Sequence, residues 1–250
     1  MPPLRKVSIL TARGAAVLLF LGAVEISVRA GLINALFVPP PSMVMVGLVE
    51  ELGGGELARG ILATLYELTW ACILATVIGV TLGYTFWRYR ILGEAFDPLL
   101  SGLFGSPIIL LYPIFLVIFG RTSEAVIAQG FVLGVIPIIL YTKRGFAEVE
   151  RVLLDVGRVF RLRWIRVLRQ IVLPAAAPAV FTGLRLGFTY ILISVIAMEY
   201  VAQVGGLGNI IAQSYFTFNI NMAYVGVAGV VILSVLFIYL TYRAEKMVRR

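Results

Sequence analysis

The sequence predicts an all-α integral membrane protein of about six transmembrane helices, with a cytoplasmic amphipathic helix between spans four and five and a single domain over 1–250. Three observations carry this. The chain is 60% hydrophobic and 14% charged, with a mean hydropathy of +0.99, outside the range of soluble domains. Its apolar stretches reach about 20 residues, enough for a helix rising about 1.5 Å per residue to cross about 30 Å of hydrocarbon. Its basic residues fall almost wholly on one side of those stretches, the asymmetry that orients membrane proteins.

The first span is read over 15–32. Arg5, Lys6 and Arg13 ahead of "AAVLLFLGAV" also fit a secretory leader, but Glu25 and Arg29 fall where small cleavage-site residues belong, so the segment is read as retained. A Pro- and Gly-rich connection, 33–60, contains "VPPPS" and "EELGGGE". The other spans are read over 61–87, 96–119, 125–141, 175–201 and 222–242. With the N-terminus inside, 17 of the 21 Lys and Arg residues share one side; Arg29, Arg59 and Arg121 lie opposite and Arg185 lies within span five. Both termini are therefore expected in the cytoplasm.

Small residues recur every fourth position: Ala71, Ala75, Gly79 and Gly83; Gly130 and Gly134; Gly183 and Gly187. Such stripes let helix backbones approach closely in lipid. Pro107, Pro113 and Pro137 lie at membrane depth and are expected to kink or break spans three and four.

Composition excludes several chemistries. The chain has no histidine and one cysteine, Cys72, so an internal disulfide, histidine–metal sites and Ser-His-Asp triads are absent. None of Lys6, Lys143 and Lys246 follows a glycine-rich loop, so there is no Walker A phosphate cradle. Asp97 and Asp155 are the only aspartates, which argues against an intramembrane enzyme. A net charge of +8 in such a chain points to anionic headgroups rather than nucleic acid.

The run "RVFRLRWIRVLRQIVLP", 158–174, holds five arginines. At about 100° per residue, Phe160, Trp164, Val167, Leu168 and Ile171 share one arc, with Arg158, Arg166 and Arg169 opposite. This reads as an amphipathic surface helix ending at Leu173–Pro174. It suits contact with anionic lipid or docking to a cytoplasmic partner.

Ionisable groups inside spans are functional suspects, here Glu67, Arg185 and Glu199. Arg185 and Glu199 are 14 residues apart and share a face of span five, which admits a neutralising role. Glu199 and Gln203 precede "GGLGN", and 202–221 carries no charge, as a segment turning back into the membrane would. Tyr112, between Pro107 and Pro113, is a further path-lining candidate.

The stretch "DVGRVFRLRWIRVLRQIVLP" resembles the cytoplasmic EAA coupling loop of binding-protein-dependent ABC importer permeases. The family pattern is Glu-Ala-Ala, three residues, Gly, nine residues, Ile, one residue, Leu-Pro. Asp155, Val156 and Gly157 stand in the first three places, Arg161 replaces the glycine, and Ile171, Leu173 and Pro174 match by identity. "FVPPPSMVMVGLVEEL" and "MEYVAQVGGLGNIIAQS" are similar to the nitrate, sulfonate and taurine branch.

The resemblance implies a type I permease in the inner membrane of a prokaryote. It implies two permease subunits (a homodimer), ATP-binding cassette subunits that carry ATP and Mg, and an external binding protein. The solute would be a small anion or a small heterocycle, and this chain would bind no cofactor. Asp155, Val156, Gly157, Arg158, Arg161, Leu162, Arg163 and Pro174 within the loop 146–174 would couple to the ATPase; Tyr112, Arg185, Glu199 and Gln203 would line the path. Arginine adopts positive φ with difficulty, so at Arg161 the turn is expected to be made differently or the two helices to merge. The competing reading is a stand-alone channel, a secondary transporter or a non-transporting membrane subunit.

Overall fold

The structure is a computed structural model. It describes the backbone of residues 3–248 apart from 54, 151, 154 and 156–158, and side chains from 14 to 247 within that set, with Ala12. Among the described residues there are helices and no strands.

Helix α1 spans Pro3–Arg29 and α2 Pro41–Leu52. The start of α2 is held by α1: the Ser42 N–H donates to Glu25 Oε2 (3.0 Å) and its hydroxyl to Oε1 (2.7 Å), while Arg29 donates to Glu25 Oε1 (2.6 Å). A carboxylate at a helix N-terminus satisfies free amides and complements the dipole. The residues that interrupt the apolar run of α1 are thus its fastening to α2.

Helix α3 is Glu56–Arg88, α4 Arg90–Gly105, α5 Tyr112–Phe119 after a 3₁₀ turn at Ile108–Leu111, and α6 Ser123–Ala147. A short α7, Trp164–Val167, passes through a π-turn, Leu168–Val172, into α8, Leu173–Ala202. Helices α9, Gly206–Phe216, and α10, Ile220–Val248, complete the chain.

Helix α6 is the centre, between α3 and α8. All four members of the α3 stripe are buried, and a Cβ at Gly79 or Gly83 would meet Ile138 or Thr142 of α6. On the other side, a Cβ at Gly187 would meet the Gly134 carbonyl at 2.6 Å, and one at Gly183 would meet Tyr141. The small-residue stripes are the two seams of the bundle. Lys143 of α6 ties in α4 by donating to the Gly93 carbonyl (2.9 Å) and pairing with Asp97.

Four helical runs are long and apolar enough to cross a membrane: Glu56–Arg88, Ser123–Ala147, Trp164–Phe216 and Ile220–Met247. Arg90–Gly105 and Ile108–Phe119 are apolar enough together, bent by 89°, and make a fifth where the bent pair is counted as one span. The break falls at Ser106–Pro107, where proline removes a donor and restricts the residue before it. Pro137 does not act in this way, because α6 runs through it unbroken. The first expected span falls on α1, whose Leu18, Leu19 and Phe20 are exposed.

Candidate functional site

The arginine-rich segment is not one amphipathic helix. Phe160 and Arg161 form a turn, Leu162 lies outside any helix, Arg163 is extended, and the helix starts at Trp164 with Arg163 as its N-cap. Arg161 has φ +47°, so it adopts the left-handed conformation that the glycine place demands. The turn is kept despite the residue. Forcing a residue with a Cβ into this region costs about 1–2 kcal/mol. Arg161→Gly is therefore expected to raise stability by about 1 kcal/mol, and Arg161→Val to lower it, since a β-branched residue is an outlier there. Melting of the two purified variants in detergent checks both; equal midpoints would sink the assignment.

The turn rearranges the apolar arc. Trp164 stacks on Trp87 (6.2 Å between centroids), and Val167 and Val172 bury with Phe146 and Ala176. Leu162, Leu168 and Ile171 pack on the same cluster, so Leu162 faces the bundle rather than outward. Phe160 leaves the arc and stands 71% exposed beside exposed Val159, flanked by Arg161 and Arg163. Asp155 is exposed as well. Val156, Gly157 and Arg158 lie outside the described residues.

The helix does not end at Leu173–Pro174. Pro174 lies inside the continuing helix, directly after the π-turn Leu168–Val172 that widens it where the proline removes a donor. Trp164 to Ala202 is a single rod, about 58 Å long at about 1.5 Å per residue.

At its far end the rod meets α9. Gln203 takes positive φ (+51°) as the C-cap of α8 and is exposed; Gly205 and Gly206 follow at +27° and +79°. The Arg121 guanidinium donates to the Ala202 carbonyl (2.9 Å), a cation at a helix C-terminus. The chain then turns back as α9 and packs against α3, α8 and α10.

Glu199 sets this turn. It is fully buried; the Thr64 hydroxyl of α3 donates to its Oε1 and the Gly208 N–H of α9 to its Oε2, each at 2.7 Å. The Leu207 N–H donates to Thr64 Oγ1 (3.0 Å). Glu67, also fully buried, lies beside Glu199. The glycines are obligatory for contact: a Cβ at Gly206 would collide with the Glu199 carboxyl, and one at Gly208 with the Ile196 carbonyl. Glu199 thus points into a packed junction of three helices.

Arg185 and Glu199 do not meet. Arg185 faces Glu245 in the last turn of α10 (3.2 Å), with Glu245 buried and the Arg185 side chain 42% exposed. Tyr112 is half-buried at the start of α5, packed on the core. Beside it the break at Ser106–Pro107 frees backbone groups, and buried Gln129 donates to the Ile109 carbonyl (3.3 Å). Thr64, Gln129 and Glu245 were not singled out by sequence. A lone amide in an apolar span was the available signal for Gln129.

Residues 75–250 match the family model described as "Binding-protein-dependent transport system inner membrane component". The bicarbonate transport system permease protein CmpB of Synechococcus elongatus is 30% identical over 195 residues, 74% of this chain and 70% of that one. The nitrate import permease protein NrtB of Synechocystis sp. is 28% identical over 187 residues, 72% of this chain and 68% of that one. In fold, a chain of the MetNI methionine ABC transporter in its inward-facing conformations superposes with a TM-score of 0.68 at 21% identity, covering 78% of this chain and 97% of that chain.

Proposed function

The chain belongs to the binding-protein-dependent transport system inner membrane components, as a permease subunit of an ABC importer, and from this we propose how it couples and what it carries. A stand-alone channel or secondary transporter is not supported. The solute is a small oxyanion delivered by an external binding protein, because relatives are named for bicarbonate and nitrate. The half-exposed Arg185 guanidinium within α8 supplies the positive charge along its path, with Tyr112 at the broken span.

ATP and Mg sit on partner ATPase subunits, and this chain binds no cofactor. A second copy completes the path. The subunit lies in a bacterial inner membrane with both termini in the cytoplasm, as the 17 basic residues on that side direct.

The observation that carries the coupling reading is the exposed Val159–Phe160 pair on the arginine-rich turn. Exposed apolar residues rimmed by charge mark an interaction site. The exposed residues of this segment, Asp155, Val159, Phe160, Arg161 and Arg163, enter an ATPase cleft. Movement there shifts α7, and the rod carries it past Pro174 to Glu199 and α9. Phe160→Glu and Arg163→Glu are expected to cut ATPase co-purification at least about ten-fold, the loss of one interaction of about 1.4 kcal/mol. Both residues face away from the bundle, so folding is spared. Wild-type yields of the complex from both variants would sink the docking assignment.

A further inference from the structure

The end of the bundle opposite the arginine-rich turn holds a cavity of about 310 Å³ between the first turns of α3 and α9. This is near the lower size for a small-ligand site and far above the room one water needs. Gly60, Gly205 and Gly206 leave its floor without side chains. Its polar rim is Glu56 and Arg59 of α3 with Asn209 and Gln213 of α9.

The charges of this rim are unmatched. Of the three basic residues expected at this end, Arg29 is paired with Glu25 and Arg121 with the Ala202 carbonyl. Arg59 has neither an ion pair nor a hydrogen bond among the described residues, and it does not pair with Glu56 one turn away. Asn209 Oδ1 is buried without a hydrogen-bond partner. An anion alone would meet Glu56, and a cation alone would meet Arg59. A ligand carrying both charges, a few bonds apart, satisfies both.

Below the cavity α3 presents an apolar track. Leu62, Tyr66, Trp70, Ile73 and Val77 follow Arg59 at steps of three and four, and all are exposed. The Tyr66 and Trp70 rings lie edge to face (6.5 Å) on that side. Polar rim and apolar track together have the form of a phospholipid: a headgroup at the helix end and an acyl chain down the span.

We propose that this cavity binds the ammonium–phosphate headgroup of a zwitterionic phospholipid, Arg59 taking the phosphate, Glu56 the ammonium and the α3 track an acyl chain. Arg59 offers planar paired donors to phosphate oxygens. Glu56 accepts the ammonium protons, which a trimethylated headgroup lacks. The bound lipid sits against the Gly205–Gly206 turn and stabilises the position of α9. The inference is independent of the transport reading, because binding is measured on the permease alone.

The test is native mass spectrometry of the permease released from vesicles of equimolar phosphatidylethanolamine, phosphatidylcholine and phosphatidylglycerol. The expected result is retention of phosphatidylethanolamine over each of the others by about ten-fold, the effect of one charged contact. Glu56→Gln should equalise ethanolamine and choline lipids, and Arg59→Gln should release both. The charge swap E56R/R59E should restore ethanolamine selectivity, separating recognition from misfolding. A second arm adds glycerophosphoethanolamine to the permease in nanodiscs of phosphatidylglycerol alone. Weak or absent binding there supports the lipid source; tight binding overturns the lipid and assigns the site to a soluble zwitterion. Unselective retention, or selectivity untouched by Glu56→Gln and Arg59→Gln, overturns the proposal.

Discussion

Glu199→Ala is expected to abolish ATP-driven uptake and to destabilise the purified subunit by about 2–6 kcal/mol, from two orphaned donors at about 1–3 kcal/mol each. The carboxylate is fully buried and accepts from the Thr64 hydroxyl and the Gly208 N–H. With alanine both donors lose their acceptor in a fully buried site, and a cavity opens under Gly206. Among the described residues, the hydrogen bond that then still ties the start of α9 to α3 is that of the Leu207 N–H to Thr64. Glu199→Gln is the informative comparison. Its single oxygen serves one donor while its amide faces the other, so about half the loss is expected, about 1–3 kcal/mol. Thermal melting in detergent reads the stability, and uptake into proteoliposomes with the ATPase reads the coupling. Wild-type values for Glu199→Ala would mean that α9 is held by its apolar packing and that the rod does not act through Glu199.

The bundle itself was legible because lipid imposes simple rules. Apolar length gave α3, α6, α8 and α10, and the four-residue glycine stripes marked the two faces of α6. Pro107 marked the break and the glycines after Gln203 marked the turn, since both act through local backbone geometry. Pro137 did not break α6. The packed neighbours on either side of that helix outweigh one missing hydrogen bond.

The arginine-rich segment was misread for a specific reason. A helical wheel assumes an uninterrupted helix, and nothing in the side chains of Phe160 or Arg161 shows that the backbone turns there. The positive φ at Arg161 is visible only in the spacing of the family motif, and arginine hides it. The partners of Glu199 and Arg185 were illegible in a different way. Thr64 is 135 residues from Glu199, and Glu245 belongs to another helix than Arg185. Periodicity identified the charged residues and their faces, but not which helix each face meets.

Arg185→Leu should separate the two roles of this guanidinium, pairing with Glu245 and lining the path. Glu245 is buried and faces the Arg185 guanidinium at 3.2 Å, so removing the cation strips a buried carboxylate of its counter-charge. Breaking a buried pair costs about 3–5 kcal/mol. The low end, about 3 kcal/mol, is expected here, because the Arg185 side chain is 42% exposed and Glu245 has a further interaction. The double variant Arg185→Leu/Glu245→Leu should recover most of that stability, since a packed apolar pair often equals or exceeds the ion pair it replaces. Uptake should behave differently. If the guanidinium supplies the charge that an oxyanion follows through the span, the double variant melts near wild type and still fails to transport. If it only neutralises Glu245, stability and uptake return together, and Arg185 belongs to the architecture rather than to the path.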